Sequence, residues 1–524
     1  MNRIKFYTII AVICTVLFGC DDMMEDMQQN DKAFNEELAN GDAVAIRGLI
    51  NTAQFNINEL TTSWTYQVEQ NLNADHFSGY MMSANPFGGG GHNAHYLMND
   101  GWNNFVYSVA DKTLQQVNQL KRDALPTYPD YYAYGLELKV LAALPMVDAF
   151  GTFPYTDYGS GINVKWDNLD EIYTAMVNEM TSVVDTLSLY MEGNAREDLA
   201  NRISSDVSSY NSNYLAFIKL ANSIKLRLAI RMSNAAPEKA KAIAEEAVNN
   251  EYGVIDESVG NFSISTANYV HPLNTIAGWG DIQMGADMES FLAGYEDPRL
   301  PKYFTKTEDP AVIAEGYDYK GIRQGALFDA GVYTAYSKPN FEKNAPMVLF
   351  TVAESYFLKA EGALKGWNMG GDPKSLYEAG VTASFQQHGV SGVEDYLQSS
   401  STPMDYIDPK NEKFSFQATT DVTPQWEDAV GQEEQLEKII TQKWLALYPD
   451  GAEAWAEFRR TGYPKLKTIP SNLNTAISSG QFIKRLPIPT SFKNPSPTQY
   501  DAAISSYFGG NDNAAQPVWW DVAE

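Results

Sequence analysis

Along most of the chain, apolar residues recur every three to four positions, the period of a helix with one buried face. Residues 130–149 set Leu136, Leu138, Val140, Leu141, Leu144 and Val147 in such a stripe. From Asp170, "DEIYTAMVNEMTSVVDTL" does the same with Ile172, Tyr173, Met176, Val177, Met180 and Val184, and opens with acids that suit a helix N-terminus. The intervening "DAFGTFPYTDYGSG" has the glycines and proline of a loop.

Two later stretches echo each other. In "SIKLRLAIRMSNAAPEKAKAIAEEAVNNEYGV", Pro237 precedes Gly253-Val254 by 16 residues; in "YFLKAEGALKGWNMGGDPKSLYEAGVTASFQQHGV", Pro373 precedes Gly389-Val390 by the same 16. Each reads as helix, turn, proline at the next helix's start, helix, glycine stop. The echo predicts tetratricopeptide-like helix-turn-helix units, with Ala363 and Gly366 small enough to let paired helices approach. Residues 433–460, broken at Pro449-Asp450-Gly451, predict a third hairpin. Residues 76–104, 255–345, 395–432 and 465–524 hold Gly, Asn, Pro and aromatics with little period. Irregular stretches this long are functional or disordered as a rule, and their aromatic content argues for order.

The N-terminus follows a different pattern. Arg3 and Lys5 precede an apolar run from Phe6 to Phe18, the charged-then-apolar order of a secretory signal. At about 1.5 Å per residue the run reaches only about 20 Å as a helix, short of a bilayer core of about 30 Å. Leu17-Phe18-Gly19-Cys20 resembles the lipobox of bacterial lipoproteins, which implies cleavage after Gly19 and acylation of Cys20. The other cysteine, Cys14, falls in the removed segment, so the mature chain forms no internal disulfide. Asp21, Asp22, Glu25 and Asp26 resemble the surface-export signal of Bacteroidetes lipoproteins. The expected organisation is therefore a lipoprotein signal peptide over 1–19, a lipidated acidic tether over 20–40 and one domain over 41–524.

Charge narrows the function. The net charge of −28 becomes −30 once the signal's two cations are removed, and so acidic a surface repels nucleic acid. With 31 tyrosines and 10 tryptophans there is amphipathic aromatic surface to spare for the apolar faces of sugars or peptides.

"AESYFLKAEGALKGW" (353–367), "KWLALYPDGAEAWAEFRRTGYP" (443–464), "NSIKLRLAIRMS" (222–233) and "YFGGNDNAAQPVWWD" (507–521) together resemble the SusD/RagB-like family of nutrient-binding outer-membrane lipoproteins. Gly151-Thr152-Phe153-Pro154-Tyr155 and Arg485-Leu486-Pro487-Ile488-Pro489 depart slightly from the family's usual wording. The resemblance implies a mainly α fold, in which tetratricopeptide-like units pack with a large loop-rich ligand-binding half. It also implies a partner, a SusC-like TonB-dependent transporter in the outer membrane, and a ligand that is an oligosaccharide or, as in the RagB branch, a peptide. No cofactor is implied.

Candidate chemistry is sparse. No nucleophile elbow, HExxH, P-loop or EF-hand pattern occurs, which weakens a surface hydrolase as the alternative. His92 and His95 behind Gly88 to Gly91 are too few for a zinc site, which needs three or four ligands. The segments 73–87 and 95–105 gather Phe77, Tyr80, Phe87, Tyr96 and Trp102 among amides and carboxylates, a mixture suited to stacking and hydrogen-bonding a sugar. Trp279 lies between Gly278 and Gly280, which leave its indole approachable, and Tyr333, Tyr336 and Asn340 form a third candidate group. The expected ligand-binding residues are Trp279, Phe77, Tyr80, Tyr96, Trp102 and Tyr336, with no catalytic or metal residue.

Overall fold

The computed structural model describes residues 44–522 apart from 58, 88–90, 193–202, 204–205 and 429. The expected signal peptide, the tether and Cys20 lie outside the described residues. About half of the chain, 51%, is helical and 5% is strand. The longer α-helices are α1 (Val44–Asn56), α2 (Asp100–Asp123), α3 (Pro129–Phe150), α4 (Leu169–Glu192), α5 (Tyr214–Arg231), α6 (Pro237–Asn249) and α7 (Pro272–Trp279). They continue with α8 (Ala286–Gly294), α9 (Val352–Leu364), α10 (Pro373–His388), α11 (Gln432–Leu447), α12 (Gly451–Thr461) and α13 (Pro497–Phe508).

Local sequence sets their ends. Asn213, Thr351, Asp372 and Asp450 accept hydrogen bonds from the first free backbone N–H groups of α5, α9, α10 and α12. Proline opens α3, α6, α7 and α10, where its missing N–H costs nothing. Gly389 and Gly462 close α10 and α12 in the left-handed conformation.

Helices adjacent in the chain pack together as α2 with α3, α4 with α5, α5 with α6, α9 with α10 and α11 with α12. The helix pairs expected from the echo are therefore present, but three details differ. Gly253 does not stop α6, which ends at Asn249; it closes a turn in which its N–H bonds Asn250. Gly366, at φ +78°, has open space where a Cβ would sit, so it turns the chain after α9 and does not bring helices together. Ala363 is half-buried. The tight approach between α9 and α10 is at Gly380, whose added Cβ would lie 2.9 Å from the Phe357 ring.

The helices are also tied by buried charge. Arg227 of α5 donates two bonds of 2.6 Å to Glu354 of α9. Arg231 reaches Asp148 of α3 at 2.6 Å and Glu457 of α12 at 2.8 Å, and also bonds Glu453. Arg460 of α12 forks onto Glu361 of α9 with two bonds of 2.6 Å. Burial works against the Arg460 charge, but Glu361 and Glu457 more than offset it and hold its pKa above the usual value.

Three two-stranded antiparallel sheets organise the loop-rich part: β1 (Met81–Ser83) with β5 (Ile282–Met284), β2 (Thr152–Phe153) with β3 (Asp167–Asn168), and β4 (Phe262–Ile264) with β6 (Met347–Phe350). The principal apolar core runs from Ile46 to Trp520 and takes residues from helices and loops alike. A satellite under the loops joins Met82, Ala94, Ile322, Tyr333 and Tyr336. The aperiodic stretches are thus ordered by packing, as their aromatic content predicts.

Candidate ligand-binding face

The pairing of β1 with β5, in the register Met81↔Met284 and Ser83↔Ile282, joins the two segments in which sequence alone placed separate candidates. Residues 73–87 and 274–288 therefore form one structure. Just before β1 the backbone follows a π-helix, Gln67–Ala74, and just before that a single turn, Ser63–Tyr66. Helix α7 packs on that turn.

Trp279 is the last residue of α7 and is 47% exposed. Gly280 caps the helix with φ +75°, a value that favours glycine, and neither Gly278 nor Gly280 has a neighbour where a Cβ would stand. The turn is held from below by the buried Gln283, whose Nε2 donates to the carbonyls of Gly280 and Thr334, each at 3.2 Å. Two residues on, the Asp281 carboxylate accepts from Gln67 Nε2 at 3.1 Å and from Asn85 Nδ2 at 3.3 Å. An indole that faces water, an exposed amide and a carboxylate thus share one small area.

Most of the other expected residues are corrected by their burial. Phe77 lies in the core 4.9 Å from the Trp455 ring, Tyr80 is fully enclosed between Trp444 and Tyr448, and Tyr96 packs on Phe77. Tyr336 is buried against Tyr333, which itself donates to Asp408 at 2.9 Å. These four expected ligand residues are packing residues, because burying each large apolar face is worth more than leaving it in water. Trp102 is half-buried, its ring 5.9 Å from Phe87 and 5.7 Å from His92. Asn340 is exposed, and its Nδ2 donates to the carbonyl of Pro301 at 3.0 Å.

The exposed ring of Trp64 was not singled out from the sequence. Trp64, 52% exposed, sits on the turn that α7 covers, and Phe105 supports it edge-on at 5.2 Å. The only signal was its setting in "TTSWTY", a tryptophan among small hydroxyl residues.

His92 and His95 are committed elsewhere. His92 Nδ1 accepts from Ala94 N–H at 3.3 Å, His95 Nδ1 accepts from His92 N–H at 3.3 Å, and His95 Nε2 lies 3.1 Å from the Ala326 carbonyl. Burial, together with the neighbouring His95, pulls the His92 pKa down to about 3, so the ring is neutral near pH 7. Among the described residues no three His, Cys, Asp or Glu side chains are placed to hold a metal, and no helix is long and apolar enough to cross a membrane.

A family model described as SusD-like, Susd and RagB outer membrane lipoprotein, matches residues 26–521. The chain belongs to the SusD-like family. Among solved structures, a chitin-binding SusD homolog from Flavobacterium johnsoniae is 36% identical with a TM-score of 0.87, over 92% of this chain and 99% of that one. A SusD homolog from Bacteroides vulgatus is also 36% identical, with a TM-score of 0.83 over 91% and 98% of the two chains. A SusD-like protein from Bacteroides thetaiotaomicron is 30% identical, with a TM-score of 0.82 over 91% and 99%. Comparison with curated proteins gives no match. SusD-like proteins are nutrient-binding lipoproteins of the outer membrane, and the mainly helical, tetratricopeptide-like fold of this chain is theirs.

Proposed function

We propose that the protein captures an oligosaccharide at the Trp279 face and delivers it to a SusC-like TonB-dependent transporter. The observation that carries this reading is the water-facing indole of Trp279 beside Asp281 and Asn85. A sugar ring stacks its C–H face on an aromatic plane while its hydroxyls bond carboxylate and amide groups. Trp64 and the half-buried Trp102 extend the aromatic surface. The similarity to a chitin-binding homolog favours a glycan over a peptide and makes a chitooligosaccharide the first ligand to try.

In this reading residues 1–19 are a cleaved signal, Cys20 is acylated, residues 20–40 are an acidic tether that faces the cell exterior, and residues 41–524 form one domain. The anchor supplies a high local concentration of binder beside the transporter, so capture and delivery become neighbouring events. The protein binds without turning its ligand over. Replacing Cys20 with Ala is expected to abolish fatty-acid labelling and release the protein from membranes; unchanged labelling would end the lipoprotein reading. Calorimetry against chitooligosaccharides, other glycans and peptides tests the ligand. Saturable glycan binding that Trp279→Ala weakens by roughly thirtyfold is expected, and binding only to peptides would replace the glycan with a peptide.

A further inference from the structure

A second recess lies at the other end of α7. A cavity of about 240 Å³ opens between β6, the end of α10 and the turn that joins α11 to α12. Its walls include the rings of Tyr303, Phe341, Phe350 and Tyr448. Tyr303 and Tyr448 stand 4.7 Å apart, and Phe341 lies 6.0 Å from Tyr448. His271, which caps the start of α7, stacks on the back of Phe341 at 4.6 Å. From there to Trp279 the helix spans about 12 Å, so this recess and the indole face are separate.

Two carboxylates, Glu354 and Asp450, enter the lining together with exposed Lys302 and Glu342. Glu354 is fully engaged by the fork of Arg227. Asp450 is not: its Oδ1 caps α12 by accepting from Glu453 N–H at 3.1 Å, and among the described residues it forms no ion pair. Burial pushes its carboxyl up to about 6, against the pull of Arg227, with Glu453 and Glu354 adding to the rise. The recess is therefore aromatic-walled and short of one positive charge.

That combination selects a ligand class. Aromatic faces attract cations through the ring quadrupole, more strongly when the site is shielded from water, and weakly hydrated alkylammonium groups suit such walls. An anion would face Asp450 and Glu354, and a neutral guest would leave Asp450 unpaired in a poorly solvated place. The volume is below that of a drug-sized pocket, which limits the guest to a small molecule or one end of a larger one. We propose that this cavity is a second binding site, independent of the Trp279 face, for a small organic ammonium ion that sets its charge against Asp450 and its carbon groups against Tyr303, Phe341 and Tyr448. The ammonium can belong to a free alkylamine or to an amino sugar.

The test titrates three probes into the whole protein by calorimetry: choline, its uncharged isostere with tert-butyl in place of trimethylammonium, and glucosamine. Saturable binding of choline or glucosamine, with the isostere weaker by about tenfold or more, is expected. Asp450→Asn retains a residue able to cap α12 and is expected to cut ammonium affinity by about tenfold or more with little change in melting temperature. Phe341→Ala, at a half-buried ring, is expected to weaken binding as well, whereas Trp279→Ala is expected to leave it unchanged. Tighter binding of glucosamine than of choline would assign the amino sugar as the source, and the reverse order an alkylamine. Equal binding of the isostere, no binding of either ammonium, unchanged affinity in Asp450→Asn, or loss in Trp279→Ala would each overturn the proposal.

Discussion

Two exposed tryptophans and the buried Phe77 behave oppositely, and the difference is open to measurement. Trp279 gives about half its surface to water, so Trp279→Ala is expected to cost little stability while weakening glycan binding by about 2 kcal/mol or more. Trp64→Ala is expected to act in the same direction. Phe77→Ala removes a ring wedged against Trp455 and is expected to lower stability by about 3–5 kcal/mol. Thermal melts and calorimetry on the three variants separate the roles; a stable Phe77→Ala that loses ligand would return Phe77 to the face. Sequence showed that these segments are rich in aromatics beside amides, and it singled out Trp279 by its flanking glycines. It did not show which rings point inward, because that depends on the π-helix at 67–74 and on the β1–β5 register, neither of which leaves a local pattern. Trp64 was missed for the same reason: it is brought near by α7, more than two hundred residues away in the chain.

Among the elements, the helix pairs were legible because their period, their opening prolines and their caps are all local signals. The contact that fits α9 to α10 was not, since close approach requires knowing which glycine faces which ring. Gly380→Ala is expected to overpack against Phe357 and cost roughly 1–3 kcal/mol, whereas Ala363→Leu, on a half-buried face, is expected to be tolerated more readily. Equal melting temperatures for Gly380→Ala and wild type would contradict this packing. The three short sheets were also illegible, with strands of two to four residues too brief to show alternation.

At the scale of the whole molecule, Glu69 and Asp75 make stability depend on pH. Burial lifts the pKa of Glu69 to about 8, helped by repulsion from Asp75, Glu59 and Asp450, and that of Asp75 to about 7, helped by Asp450, while Asn71 and Gln70 partly stabilise the Asp75 charge. In the unfolded chain these groups lose their protons near their ordinary values of 4.5 and 3.8. Between those limits the folded state holds more protons than the unfolded one, so their contribution to stability is complete below about pH 4 and is lost as pH rises toward about 8. Glu69→Gln is therefore expected to raise the melting temperature at pH 8 more than at pH 5, and a pH-independent difference would refute the assignment.

The arginines of α5 carry a further consequence, for the order in which the molecule can be made. Arg227 and Arg231 are buried with carboxylates from α9 and α12, so a nascent chain that ends before residue 457 lacks Glu457, and one that ends before 453 lacks Glu453 as well. Until those residues emerge, closing the core would bury Arg231 with Asp148 but without its other two carboxylate partners, at a cost of several kcal/mol. A partly synthesised chain is thereby kept from locking prematurely, and a fragment that stops at residue 431 should stay protease-sensitive even though it contains α1 to α10.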